Sequence, residues 1–291
     1  MPSSPTLPSA ADPAPENWLL AALPAEELDA VRAHLTRVSL RLGEVLYAPG
    51  RPATHVYFPE TAVVSVINRL SSDALRGEAR GGARDEAPDG SVVEVGTVGC
   101  EGMVGLSVFL SGDAMTDGET HAAPPAGAGD ADDGPGVRAV TQVAGDAWCL
   151  PAAPFLALAG VPGPLRRGLL RYTQAFLAQV MQTAACNAAH RVEARCARWL
   201  LITRDRVPTD CLPLSRRFLA AMLGVRETGA AFTLAALAER GLVDVHPGEV
   251  VIRDRAGLEA AACPCYRAVR AEFGRLLRRP IEMTDGNGRI R

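Results

Sequence analysis

The chain contains no lysine; all 30 of its basic residues are arginine. With its abundant alanine, glycine and proline, that bias reads as a GC-rich coding habit and not as a function. Aromatic residues make up only 5% of the 291 residues. No apolar run approaches the roughly 20 residues of a membrane span, so no membrane partner is expected. The opening "MPSSPTLPSAADPAPE" has neither the basic start nor the apolar core of a signal peptide. Residues 1–16 therefore read as a disordered lead-in, and a cytoplasmic protein is expected. Seven cysteines, an odd number in a chain of this length, do not form a disulfide framework.

Catalytic motifs are lacking as well. The sequence shows no Ser/His/Asp arrangement, no GxGxxG and no phosphate-binding loop, and its five histidines (His34, His55, His121, His190, His246) are scattered. An enzyme is not expected, and no catalytic or metal-ligating residue is assigned. The thiol pair in "CPCY", Cys263 and Cys265, supplies only two of the about four ligands that a metal needs. Both are expected to be structural, with a redox role as the alternative.

The charge that is present is unevenly placed. Residues 191–291 hold 18 arginines and 12 acidic residues, whereas residues 1–190 hold 12 and 21. A basic C-terminal third on an acidic body points to a nucleic-acid partner. Hydrophobic residues reach 48%, enough for a sizeable core.

The apolar pattern divides the chain. "NWLLAALPAEELDAVRAHLT" carries the spacing of short helices. From Val38, short β-type runs alternate with Gly and Pro turns: "LGEVLYAPG", "THVYFPETAVVSVI", "SVVEVGTVG" and "RAVTQVAGDAWCL". Strands at this spacing predict a small sandwich or barrel over residues 17–162. Two polar stretches, 71–90 and 112–136, interrupt it and read as mobile surface loops. A long helix is predicted from about 163 to 195. Its apolar stripe, Leu165, Leu169, Tyr172, Phe176, Val180 and Met181, is expected to be a dimer seam of coiled-coil type. Trp199, Leu200, Leu201 and Ile202 open a further domain, expected to span 196–275, with a tail at 276–291.

Within that domain stands "RRFLAAMLGVRETGAAFTLAALAERGLV". Ser215 is placed to cap a first helix, Gly224 to close it, and Glu227 to begin a second that ends near Arg240. Short helix, glycine turn and second helix make helix-turn-helix spacing. The second helix would present Arg226, Glu227, Thr228, Ala231 and Phe232 to base edges in the major groove. "GLVDVHPGEVVIRDR" then reads as a β-hairpin wing turning at His246–Glu249. Ser215, Arg216, Arg217, His246 and Arg253 are the candidate phosphate contacts. The competing reading of the whole segment is a plain helical hairpin in a core. That explains its apolar residues but not the Arg-Glu-Thr start.

From "LPLSRRFLAAMLGVRETG" through "CPCYRAVR", the segment resembles the C-terminal winged helix of the Crp/Fnr transcription regulators. "LRLGEVLYAPGRPATHVYFPETAVVSVI" is similar to the opening strands of their cyclic-nucleotide-binding β-roll, and "GTVGCEGMVGLSVFLSG" to its phosphate-binding cassette. The likeness covers roughly residues 17–275. It implies an α+β protein with an N-terminal β-roll, a long dimerisation helix and a C-terminal winged helix-turn-helix. It also implies a homodimeric, sequence-specific regulator on double-stranded DNA, with RNA polymerase and an unidentified small-molecule effector as further partners. The alternative is a cyclic-nucleotide-responsive or cysteine-based, redox-responsive regulator.

The resemblance places an effector pocket at Glu101, Gly102 and Arg138, yet this chain departs from the family there. Nucleotide-binding members carry Gly-Glu and then Arg-Ser or Arg-Thr. Here Glu101-Gly102 stands in reversed order, Arg138 is followed by Ala139, and 112–136 holds six acids and no arginine. A buried phosphate needs a positive partner, so cAMP is not the expected ligand. Nor is an iron–sulfur cluster, since no cysteine precedes Cys100, nor haem, for which no axial ligand can be placed. Cyclic AMP titrated into the chain in a calorimeter should show no binding in the micromolar range; a micromolar or tighter dissociation constant overturns this expectation.

Overall fold

The computed structural model describes residues 14–49, 53–69, 92–111 and 136–277. The polar stretch 71–90 lies outside the described residues, as do all but Gly136 of 112–136, most of 1–16 and most of 276–291. By contact density the chain forms two compact units. The first takes in residues 1–65, 98–133 and 138–174, and the second 66–97, 134–137 and 175–291. The second unit therefore claims the C-terminal part of the long helix and the strand at 92–97, which the sequence pattern assigns to the sensor half.

The N-terminal region begins with helices α1 (Trp18–Ala21) and α2 (Ala25–Arg32). Asn17 is fully buried; its Oδ1 accepts from Leu19 N, and its Nδ2 donates to Pro59 O and Gly102 O. One side chain thus caps α1 and joins two other stretches of chain. The strands are β1 (Thr36–Leu40), β2 (Val45–Tyr47), β3 (His55–Pro59), β4 (Val63–Arg69), β5 (Val92–Val98), β6 (Gly136–Val143) and β7 (Gly145–Pro151). They form one sheet of order β1-β7-β3 and another of order β2-β6-β4-β5. The first is antiparallel throughout, with Phe58 opposite Trp148. These are the strands expected from the period-two runs. Helix α3 (Leu106–Leu110) follows β5. Helix α4 (Ala152–Gly160) was not foreseen; "PAAPFLALAG" has no amphipathic period, yet Phe155 is fully buried and packs edge-on against Phe58.

Helix α5 (Pro164–Ala189) is the long helix. It stops sooner than the predicted 195. Arg191 takes an extended backbone, ψ 148°, and α6 (Val192–Arg204) starts afresh. No proline or glycine marks this break, so nothing in the local sequence announced it.

The C-terminal region adds β8 (Cys211–Pro213), α7 (Arg216–Leu223), α8 (Glu227–Glu239), β9 (Val243–His246), β10 (Glu249–Ile252), α9 (Arg255–Ala261) and α10 (Cys265–Leu277). The sheet has order β8-β10-β9, so the expected hairpin carries a third short strand. No single helix among the described residues is long and apolar enough to cross a membrane.

Four arginines of the C-terminal region are buried: Arg195, Arg198, Arg204 and Arg206. Arg195 donates to Leu223 O, Arg204 to Asp210 and to Val207 O, and Arg206 to Ile202 O. Asp205 gathers α6, α9 and α10 at one point. It accepts from Arg255 Nη2 at 2.5 Å and from Tyr266 Oη at 2.9 Å, with Arg270 Nε at 3.6 Å. The Asp205 side chain is 2% exposed and that of Arg255 21%. Removing one partner of such a pair strands the other charge away from water. Asp205→Ala should cost about 3 kcal/mol of unfolding free energy in a denaturant titration. A loss under about 1 kcal/mol would show the cluster to be solvated and structurally minor.

Candidate nucleic-acid interface

The interface is built from a single backbone bend. Ser215 caps α7, its Oγ accepting from Phe218 N at 3.1 Å. Leu219, Ala220, Met222 and Leu223 turn inward. Gly224 then adopts φ 63°, ψ 42°, a left-handed conformation that costs a residue with a Cβ about 1–2 kcal/mol. Its N–H donates to Ala221 O, and Val225 N–H to Ala220 O, which closes the helix end. Helix α8 departs at 101° to α7, within the range of a helix-turn-helix. Ala230, Thr233, Leu234 and Leu237 bury its inner face.

What α8 turns outward is the set expected for base readout. Arg226, Glu227 and Thr228 are exposed, Ala231 is half-buried, and Phe232 is 77% exposed. The Arg226 side chain does not cap the first turn of α8. A helix N-terminus favours negative charge. Beside α8 runs an open groove of about 490 Å³, lined by Arg216, Thr228, Ala231, Phe232, Ala235 and Val245 among others. This groove joins α7, α8 and the wing strand β9, and no spacing in the sequence announces it.

The phosphate candidates divide. Arg216 and Arg217 are exposed at the start of α7. His246 is exposed where β9 enters the turn, at which Gly248 has φ 80°. Ser215 is exposed, but its hydroxyl is engaged as the α7 cap. Arg253 is exposed but pairs with Asp244 at 2.5 Å, so its charge is already partly answered within the wing.

The seam assigned to α5 requires correction. Leu165, Leu169 and Tyr172 are 5%, 0% and 1% exposed within the single chain, and the Tyr172 hydroxyl donates to Met103 O at 3.0 Å. Phe176 and Val180 are half-buried. Apart from Met181, which is exposed, that stripe packs on the chain's own elements. A second stripe, Leu170, Gln174, Leu177, Met181, Ala184 and Ala188, is exposed at every position. Its steps alternate four and three, the a/d pattern of a coiled coil. The helix has two apolar faces, and the larger side chains belong to the inward one.

The effector residues are buried. Glu101 is 2% exposed and accepts from Gly99 N, and Arg138 is 9% exposed. Gly102 is needed for close packing, since a Cβ there would lie 2.1 Å from the Tyr172 ring. Glu101 and Gly102 serve local packing, and Arg138 is buried; a ligand-facing role for the three is an expectation carried by the resemblance alone.

The family model of the Crp-like helix-turn-helix domain matches residues 194–261. A Crp/Fnr-family transcriptional regulator from Eubacterium rectale is similar in structure, with TM-score 0.55 and 15% identity, over 84% of this chain and 96% of its own. FixK2 from Bradyrhizobium japonicum aligns with TM-score 0.55 and 19% identity, over 79% and 98%. CLP, the c-di-GMP responsive global regulator of Xanthomonas campestris, aligns with TM-score 0.54 and 18% identity, over 79% and 100%. At these identities the likeness is one of fold. No curated protein matches the chain by sequence.

Proposed function

We propose that this chain, with a Crp-like helix-turn-helix domain on the Crp/Fnr fold, is a DNA-binding transcription regulator of that type, two copies of which read a palindromic operator. The observation that carries the reading is the outward cluster Arg226, Glu227 and Thr228, at the start of a helix set at 101° to its neighbour. Arg226 is suited to guanine, Glu227 to the cytosine amino group, and Phe232 to a thymine methyl. Arg216, Arg217 and His246 lie on either side of α8 in sequence and take the phosphates, which fix register without reading bases.

The dimer forms through the exposed Leu170, Leu177 and Met181 stripe of α5, with alanines at 184 and 188 letting the helices approach closely. Two-fold symmetry then sets the recognition helices about 34 Å apart, one turn of DNA. The partners are double-stranded DNA, a second copy of the chain, RNA polymerase and a small-molecule effector other than cAMP. The protein acts in the cytoplasm by binding, not by catalysis. Recruitment of polymerase and the identity of the effector rest on the type of protein, not on a named contact.

Two measurements test this. In fluorescence anisotropy on an operator selected from genomic fragments, Arg226→Ala should lose about 1–3 kcal/mol of specific binding and leave non-specific binding nearly unchanged. Arg216→Ala with Arg217→Ala should weaken both and flatten the slope of log K against log salt by about 0.9 per lost contact. Unchanged specific affinity in Arg226→Ala would show that the register of α8 in the groove is wrong. In sedimentation, the wild-type chain should run at twice its 30.6 kDa, and Leu177→Glu with Met181→Glu should run at one. A variant that stays dimeric removes α5 as the seam.

A further inference from the structure

The cysteines that spacing alone left as structural come together. Cys186 lies on the last turn of α5, and His190 follows four residues later, just past its end. Cys263 and Cys265 lie between α9 and the first residue of α10. Their donor atoms, three sulfurs and an imidazole nitrogen, all lie within 4.8 Å of one another. Cys186 Sγ is 3.4 Å from Cys263 Sγ, and Cys265 Sγ is 3.5 Å from His190 Nδ1. The three cysteines are 0%, 4% and 3% exposed.

Ideal tetrahedral geometry supplies the comparison. Zinc–sulfur bonds of about 2.3 Å and zinc–nitrogen bonds of about 2.05 Å put sulfurs about 3.8 Å apart and sulfur and nitrogen about 3.5 Å apart. The observed sulfur–nitrogen separation is that edge, and the sulfur–sulfur separation needs only a few tenths of an ångström of relaxation. The surroundings favour thiolates. Gln182 Nε2 donates to Cys265 Sγ at 3.0 Å, a hydrogen bond from outside the ligand set of the kind that orients metal-bound sulfur. The buried Arg198 acts electrostatically on both Cys186 and Cys263. Three thiolates around a dication leave one net negative charge, and Arg198 answers it.

We propose that Cys186, His190, Cys263 and Cys265 bind one zinc-class divalent cation in a closed Cys3His site. All four positions are filled by side chains, so the site is structural and has no place for an activated water. It clamps the end of α5 to the start of α10, next to the unannounced break at 190–191. Metal binding displaces the protons of the ligating thiols. Sequence spacing did not point to this cluster because C-x-C supplies half a site; the other half, Cys186 and His190, ends 73 residues before Cys263.

The competing outcomes are a Cys186–Cys263 disulfide, formed with an external oxidant taking both electrons, and a plain thiol-rich core. The full-length chain, purified with reductant and freed of metal by a chelator, is titrated with Co2+ and then Zn2+. One Co2+ per chain should bind, with the near-ultraviolet thiolate-to-cobalt band and the strong visible bands of a tetrahedral site, and Zn2+ should bleach both. His190→Ala and Cys263→Ser should each weaken Co2+ binding at least roughly tenfold, the scale on which metal-site residues act. Cys211→Ser, outside the cluster, should not. Circular dichroism checks that each variant is folded. The proposal falls if the reduced, folded wild-type chain shows no cobalt–thiolate band. It falls equally if mass mapping finds Cys186 linked to Cys263 in metal-free protein as isolated, or if the ligand variants bind as the wild type does.

Discussion

A 101° bend made in three residues is what the proposed DNA-facing surface depends on. Gly224 supplies it, because only a residue without a Cβ holds φ 63° cheaply. Once α7 ends there, its last carbonyls are met by Gly224 and Val225 amides, and Val225 is buried in the angle. The direction of α8 follows, and with it which residues leave the surface first. Were the helix to run straight through, Arg226 and Thr228 would lie along a continuous rod, and no short segment would protrude end-on.

Charge shows how far composition can mislead and where it holds. The C-terminal third has an excess of arginine, which suggests a basic face. Yet Arg195, Arg198, Arg204 and Arg206 are buried and bound to backbone or side-chain oxygens, while Arg255 and Arg270 converge on Asp205. In a chain without lysine, arginine also does the interior work, for which its planar fork of donors is suited. The arginines facing solvent near the bend, Arg216, Arg217 and Arg226, are few. They matter through position rather than through the net charge of the domain.

The same distinction separates what was legible in the sequence from what was not. The strands and the two helices of the bend were legible because each depends on near neighbours: period-two runs, a serine cap, a glycine stop. The exposure of Arg226, Glu227, Thr228 and Phe232 followed from helical spacing on a helix whose start was marked. The seam on α5 was misread because that helix carries two apolar faces. Spacing cannot say which of Leu169 and Leu170 turns inward; the Tyr172 ring seated over Gly102 decides it. The break after Ala189, helix α4 and strand β8 left no local mark, since packing and not propensity maintains them. The sulfur cluster was invisible for the plainest reason: its halves are far apart in sequence and adjacent only after folding.

The outer face of α8 carries one feature that stability does not explain. Phe232 is 77% exposed, beside Ala231 and Ala235 and a groove that reaches Val245 of the wing. Burial of an aromatic ring stabilises a fold by roughly 25 cal/mol per Å² removed from water, and a ring left in solvent forgoes that gain. A single exposed apolar residue is ordinary, but here the neighbours are also small and apolar, so the patch is continuous. Arg226 and Thr228 at one end supply polarity, and the alanines keep the surface shallow. A surface so composed suits a partner that offers hydrogen-bonding edges next to flat or methyl-bearing apolar ones. The major groove offers both within one base-pair step, which fits the proposed role of an arginine and a bare phenyl ring on this helix.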